Sequence, residues 1–353
     1  MVKLRNGIVL ENEPMSRHAS FRIGGRARLV KTDNIVDVMS IMLDCERIDK
    51  KLYLIGGGTN LLINSGDLTA TFLSYTDNTI YIDKGNIVCS AGVTIAEFLR
   101  FCVAHSITGY EFMAGIPGTM GGAVKGNAGG VNVAIGDYVL GVNLLMASHD
   151  MCGVRLTSHL DKVSQNFNKK INKKIITKIK AKNIKIINNK IINKKILKNN
   201  KKTIKNHIFS KNIIKKIYLD KNKLIFNYRK SNIADNYFIK NVILKCQYGD
   251  RQKIAQSITT NLTTKITTQP TKDKSAGSVF MRVGDFVPAR EIDLMGLKGM
   301  SVGSAKVSEV HAGFVVNIGN ATSQDIIDLV TALRQKVYDK HGVWLQSEIK
   351  YFD

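Results

Sequence analysis

The sequence predicts an α+β protein, on three observations. Short runs that alternate apolar and polar residues between Gly, Asn and Asp turns read as strands. A few amphipathic stretches with clear caps read as helices. Two glycine-rich segments, 56–60 and 114–129, break both patterns where backbone must approach something closely. At 353 residues the chain can bury a large core, and its length favours two or three domains.

Taken in order, His18 to Gly25 reads as a short strand ending in a Gly-Gly turn. Asn34 to Leu43 places Ile35, Val38, Met39 and Met42 at helical spacing. Leu52 to Ile55 is a strand that runs into Gly56-Gly57-Gly58-Thr59-Asn60. A dinucleotide fingerprint would need a third glycine at fixed spacing and a helix to follow. Leu61 stands at that position and a short apolar run follows, so the unit reads strand–loop–strand and the Rossmann reading fails. Phe72 to Cys89 reads as two or three short strands. Thr94 and Glu97 form a capping box for a helix whose face is Ile95, Phe98, Leu99, Cys102 and Val103, which makes Cys102 a core residue and not a nucleophile.

Ala114 to Gly129 holds six glycines and one of four prolines. Such a loop suits a phosphate or flat cofactor met by backbone N–H groups, the plainer alternative being a tight packing turn. Later come Leu224 to Ser231, a strand over Phe238 to Leu244, and a Thr-rich stretch that can be helix and linker. A helix over Ser323 to Lys340 has Ile326, Ile327, Val330, Leu333 and Val337 inward and ends at Gly342. Val343 to Tyr351 is expected as a last strand with Trp344, Gln346 and Glu348 on one face.

The net charge of +24 belongs to one segment: Lys162 to Lys216 holds nineteen lysines and no acid, and the rest carries 33 basic against 28 acidic residues, or +5. That tract, 164–216, is low in complexity and rich in Ile, Asn and Lys, and reads as an insertion in a surface loop. Phe167 and Phe209 are its only aromatics, so base stacking, and with it a nucleic-acid role, is disfavoured. No apolar run is long enough for a membrane span, and no signal peptide is recognised at Met1 to Gly7. Five scattered cysteines without metal-type spacing suit a reduced, cytoplasmic protein. His18 and His311 have no metal partners at useful spacing and read as structural; no metal is expected.

Several pieces together resemble one family. They are Phe21 to Gly25, Gly56 to Asn60, Gly115 to Gly118 with Gly121 to Val124, Asn127 to Gly129, and Tyr228-Arg229-Lys230-Ser231. Further on stand Ser275 to Phe280, Gly296 to Gly299, His311 to Asn317 and Leu345 to Ile349. In this order they are similar to the UDP-N-acetylenolpyruvoylglucosamine reductases of bacterial cell-wall synthesis, over nearly the whole chain except the lysine tract. The resemblance implies a two-subdomain FAD-binding domain of the PCMH, or vanillyl-alcohol-oxidase-like, kind and a C-terminal α/β substrate-binding domain. The expected division is 1–85 and 86–163 with 217–247 for the two FAD-binding subdomains, then 248–353.

The resemblance further implies that NADPH reduces FAD and that UDP-N-acetylglucosamine enolpyruvate is reduced to UDP-N-acetylmuramate. By similarity Arg229 holds the substrate carboxylate with help from Glu348, Ser278 donates a proton, and Tyr228 lies beside them. FAD contacts fall on Gly56, Gly57, Gly58, Thr59 and Asn60, and on Gly115, Ile116, Pro117, Gly118, Gly121, Gly122, Asn127, Ala128 and Gly129. Alone, Arg229 could be a surface ion-pair residue, Ser278 a turn hydroxyl and Glu348 a solvated strand end. Lys125, Met281 and Gln346 depart from common family residues, and the shorter of two family subtypes, acting as a monomer, is expected. The alternatives are another FAD oxidoreductase of the same fold, a nucleic-acid-binding protein acting through the lysine tract, and an enzyme that folds without turning over. Covalent flavin is disfavoured because neither glycine loop carries His or Cys.

Overall fold

The structure is a computed structural model that describes residues 4–130, 132–147 and 214–353. The lysine tract up to residue 213, and Cys152 with it, lies outside the described residues.

The first sheet runs in the order β1-β2-β5-β3, from Gly7–Pro14, Arg26–Thr32, Thr71–Tyr75 and Leu52–Ile55. Its inner strands pair in parallel, and successive residues point to opposite faces, both of them buried. Leu29 and Phe72 join a cluster with Met15, Ile55 and Ile63. Their neighbours Val30 and Leu73 join the largest cluster, on the other face. Helix α1, Ile35–Arg47, carries Val38, Ile41, Met42 and Cys45 into that cluster. Asn34 caps it by accepting from Val36 N.

The second sheet is antiparallel, in the order β6-β7-β12-β8-β9, from Ile80–Asp83, Asn86–Ser90, Tyr237–Lys245, Val139–Ala147 and Ile214–Asp220. Helix α2, Ile95–Ala104, closes it from one side. Its capping box is present, and Ile95, Phe98, Leu99 and Cys102 are buried as the spacing predicts. The Thr-rich stretch belongs to an 18-residue helix, α4, Arg251–Thr268, packed on α2 and on the turn at Glu111–Met113. The expected boundaries at 85 and 248 fall between elements, the first of them inside the second sheet, and β9 begins at Ile214, just before the expected 217.

A third cluster lies under a small sheet of β13, Ser301–Val302, β14, Ala305–Val307, and β15, Val315–Asn317. Two helices cover it: α5, Pro288–Leu294, and α6, Ser323–His341. Helix α6 is capped by Thr322 and ends at Gly342 in the left-handed conformation.

Two sequence expectations fail here. His18 to Gly25 is not a strand. Met15–Arg17 is a short 3-10 turn, and Met15 N and Ser16 N donate to Gly25 O and Gly24 O, so the segment folds back on itself. Its alternating apolar residues serve two cores, Ala19 one and Phe21 with Ile23 another. A loop can divide them in that way. The second failure is the strand over Val343 to Tyr351, of which only β16, Lys350–Phe352, is regular. Met281 N donates to Gln346 O and Glu348 N to Val279 O, after which the chain changes partner and β16 pairs in parallel with β4, Leu61–Ile63. The alternation therefore resets at Glu348. Trp344 and Gln346 face solvent, while the Glu348 side chain is only 14% exposed.

Candidate active site

The first glycine loop leaves β3 at Ile55 and re-enters the fold at β4. Gly58 sits at φ +65, and a Cβ there would lie 1.8 Å from His18 O, so only glycine fits. Ser20 N donates to Gly58 O at 3.0 Å, which locks the loop to the 18–20 turn. On its other side the loop meets the second glycine segment. A Cβ on Gly57 would lie 2.8 Å from Gly118 Cα, and Thr59 Oγ1 donates to Pro117 O at 3.5 Å. The two loops that the sequence singles out thus touch each other. Beside Gly56 and Gly57 opens a cleft of about 370 Å³ with Arg17, Arg22 and Lys31 around it. Ser20 lines it too, with a buried Oγ that has no hydrogen-bond partner among the described residues.

The second glycine segment is not loop throughout. Met120–Lys125 forms the short helix α3, capped by Thr119. Gly121 is needed against the wall of the site and not within it, since a Cβ there would lie 2.8 Å from Ala91 Cβ. Asn127 is buried and spends both ends of its amide on protein: Nδ2 donates to Asn227 O at 2.9 Å, and Oδ1 accepts from Gly136 N at 3.0 Å. Ala128 is tied through its own N–H to Ala123 O. Asn127 and Gly129, which the resemblance places against a cofactor, also hold the hairpin 226–231 that carries Arg229.

Arg229 stands at the tip of that hairpin, between β10, Phe226–Asn227, and β11, Lys230–Ser231. Its Nε donates to Glu348 Oε1 at 2.5 Å and its Nη1 to Gly129 O at 3.1 Å. The Tyr228 ring lies under the guanidinium, 5.2 Å from ring centroid to Cζ. Burial raises the Glu348 carboxyl above the usual range, and the Arg229 charge opposes that rise. The pair is therefore a desolvated carboxyl whose arginine offsets part of the cost of its burial. Ser278 comes from a third region: it bridges to Phe314, and the next carbonyl, Val279 O, accepts from Glu348 N at 2.8 Å. The Ser278 hydroxyl makes no hydrogen bond among the described residues and is free to serve a ligand. Asn60 Nδ2 donates to Glu348 O at 3.1 Å, so the first glycine loop and the carboxylate share one anchor.

Lys125, a departure from common family residues, acts structurally. Its Nζ pairs with Asp235 at 2.7 Å and also donates to Ile233 O, while Ser231 Oγ donates to its carbonyl. It fixes the strand leaving Arg229. His18 pairs with Glu13, and His311 Nδ1 accepts from Gly313 N, with burial holding its ring below the usual histidine range. The sequence reading missed Arg17, Ser20, Arg22 and Lys31 as a cleft lining, because 18–25 was expected to be strand.

Residues 269–352 match the family model described as the C-terminal domain of UDP-N-acetylenolpyruvoylglucosamine reductase, and residues 27–152 match an FAD binding domain. The UDP-N-acetylenolpyruvoylglucosamine reductase of Alkaliphilus oremlandii is 29% identical over 347 residues, covering 97% of this chain and 93% of that protein. That of Clostridium kluyveri is 28% identical, covering 99% and 96%. The crystal structure of the Thermus caldophilus UDP-N-acetylenolpyruvylglucosamine reductase superposes with a TM-score of 0.69 at 21% identity, over 98% of this chain and all of that one, and shares the fold.

Proposed function

The chain belongs to the UDP-N-acetylenolpyruvoylglucosamine reductase family, and we propose on that premise that it reduces UDP-N-acetylglucosamine enolpyruvate to UDP-N-acetylmuramate with FAD and NADPH. The residues present fit FAD. Gly58 leaves no room for a side chain, the two glycine loops close on each other, and the adjoining cleft is ringed by cations with an unpartnered Ser20 hydroxyl. Gly56 to Thr59 and Gly115 to Gly118 would hold it. When bound, FAD supplies the hydride that it takes from NADPH.

The protein's own part concerns charge and a proton. Hydride arriving at the β-carbon of the enolpyruvyl group leaves an electron pair on the α-carbon, delocalised into the carboxylate. Arg229 is the residue we assign to that carboxylate. Glu348 and Gly129 O hold two edges of its guanidinium, so the remaining N–H groups present a fixed face to the ligand. Ser278 is assigned as the proton donor to the α-carbon. Such a carbanion-like carbon is a stronger base than an alkoxide, so an un-ionised hydroxyl is acid enough once aimed at it. Solvent restores the serine proton.

The observation that carries this reading is the convergence of Arg229, Glu348 and Ser278, drawn from three distant segments beside the two glycine loops. Among the described residues Cys45, Cys89, Cys102 and Cys246 are free, which fits the proposed cytoplasmic setting. Among the described residues no helix is long and apolar enough to cross a membrane. The test is direct. Purified protein should be yellow, bleach with NADPH under anaerobic conditions, and recover its flavin spectrum on adding the enolpyruvyl substrate. Bleaching without recovery would overturn the substrate assignment.

A further inference from the structure

The hairpin that carries Arg229 is a sheet of its own. Among the described residues β10 and β11 pair only with each other, through Phe226 with Ser231 and Asn227 with Lys230. A ladder that short does not hold its own place in water. At the tip Arg229 has φ +55, a left-handed conformation that a residue with a side chain keeps only when its surroundings impose it. The hairpin must therefore be fixed from outside.

That support comes from the end of α3. Asn127 Nδ2 holds the incoming strand at Asn227 O, and Ser231 Oγ on the outgoing strand donates to Lys125 O at 2.8 Å. Further along, the Lys125 amine donates to Ile233 O and pairs with Asp235 Oδ1 at 2.7 Å. Lys125 thus meets the outgoing segment at every second residue: Ser231, Ile233 and Asp235. The Asp235 side chain is 91% exposed, so water screens that pair and it contributes little. Ile233 is buried, and removing the amine takes a donor from its carbonyl in half-buried surroundings. At its other end α3 begins beside Thr119, whose Oγ1 would lie 2.4 Å from a Cβ on Gly56. One short helix therefore runs from the meeting of the two glycine loops to the base of the hairpin.

We propose that Lys125 is a positioning residue for the reduction, latching the hairpin so that Arg229 meets the substrate carboxylate at a fixed angle. The proposal rests on the function proposed above, in which Arg229 takes that carboxylate. Glu348 and Gly129 O steady the guanidinium itself, whereas Lys125 steadies the backbone from which it springs. A guanidinium on a loose mount still reaches a carboxylate, but in many orientations, and a misplacement of about 1 Å costs about 10²-fold in rate. Lys125 acts through Arg229 and not on the ligand, so its effect belongs only to the step that Arg229 serves.

The test uses the flavin-loaded enzyme with Lys125→Met, which keeps the stem and removes the amine, and Lys125→Arg, which restores a donor. Lys125→Met should hold flavin as wild type does and bleach with NADPH within about twofold of its rate. Its reoxidation by saturating UDP-N-acetylglucosamine enolpyruvate should fall at least about tenfold. Its affinity for UDP-N-acetylglucosamine, which lacks the carboxylate, should stay within about twofold of wild type. Lys125→Arg should recover most of the lost rate. A merely structural role would move all of these together. Equal loss of both half-reactions, weakened binding of UDP-N-acetylglucosamine to match the loss of rate, an unchanged reoxidation rate, or no recovery in Lys125→Arg would overturn the latch. Should wild type fail to reduce the enolpyruvyl substrate, the functional reading falls, and hydrogen exchange across residues 224–237 still decides this one. Faster exchange there in Lys125→Met than in wild type supports the latch, and equal exchange removes it.

Discussion

Two glycines in the first 85 residues share a backbone conformation and differ in everything around it. Gly58 has φ +65 with His18 O 1.8 Å from where a Cβ would stand; Gly85 has φ +73 with nothing within 4 Å. Replacing either with alanine costs about 1 kcal/mol for the left-handed backbone. For Gly85→Ala nothing more is due. For Gly58→Ala the contact must open by roughly 1 Å before it resembles real packing. That movement breaks the bond from Ser20 N to Gly58 O and leaves a polar pair unsatisfied, for about 1–3 kcal/mol more. The expected totals are about 1 kcal/mol for Gly85→Ala and about 2–4 kcal/mol for Gly58→Ala. Urea denaturation of both apoproteins measures the difference, and the ratio of flavin to protein absorbance measures cofactor content. Gly58→Ala should lose flavin while Gly85→Ala keeps it. Equal stability and equal flavin content in the two variants would refute the view that the 56–60 loop is braced by the 18–20 turn.

Three further substitutions address the site and its support. Ser278→Ala keeps the backbone bridge to Phe314, so flavin bleaching by NADPH should be nearly unchanged while reoxidation by the enolpyruvyl substrate falls by about 10²–10⁴; equal loss of both steps in stopped-flow absorbance would remove Ser278 as donor. Glu348 has its folded-state pKa raised by burial, so its contribution to stability is present below the unfolded pKa and is lost as pH rises through the folded one. The stability of wild type relative to Glu348→Gln should therefore fall as pH rises above about 4, the ordinary carboxyl range, in urea titrations, and a rising difference would contradict the sign. Phe352→Ala removes a ring stacked on Tyr53 at 4.3 Å and should cost about 2–3 kcal/mol, with substrate turnover falling more than flavin content. Equal losses would show that β16 does not brace Glu348.

Much of this was legible in the chain because local chemistry dictated it. Thr94 and Glu97 cap α2, Asn34 caps α1, Gly342 ends α6, and the strand–loop–strand at 52–63 follows from Leu61 standing where a Rossmann glycine would. The stretches that misled are those whose alternation serves more than one partner. Ala19, Phe21 and Ile23 alternate like a strand but divide between two cores. Trp344, Gln346 and Glu348 share a parity, but the pairing changes from 279–281 to β4 at Glu348. Asn127 to Gly129 was readable as a special backbone segment, but not as the mount for Arg229, because its partner lies 100 residues further along.

The placement of Glu348 explains why the last strand returns to β4, beside the first glycine loop. A carboxylate that steadies an arginine must be shielded from water, or the pair is worth little, and it must be held, or its own entropy cancels the gain. A free C-terminal strand could supply neither condition. Here β16 is pinned by parallel pairing with β4, by Tyr53 stacked on Phe352, and by Lys51 on Asp353 at 2.8 Å. Glu348 stands just before that anchor, where its own N–H is taken by Val279 O and its carbonyl by Asn60. One short segment therefore carries the position of the first glycine loop to the carboxylate, and the carboxylate carries it to Arg229. A shift of the 56–60 loop would be felt at the guanidinium through two hydrogen bonds, one from Asn60 Nδ2 to Glu348 O and one from Arg229 Nε to Glu348 Oε1. The 56–60 loop and the residues assigned to the substrate are in this way parts of a single mechanical unit.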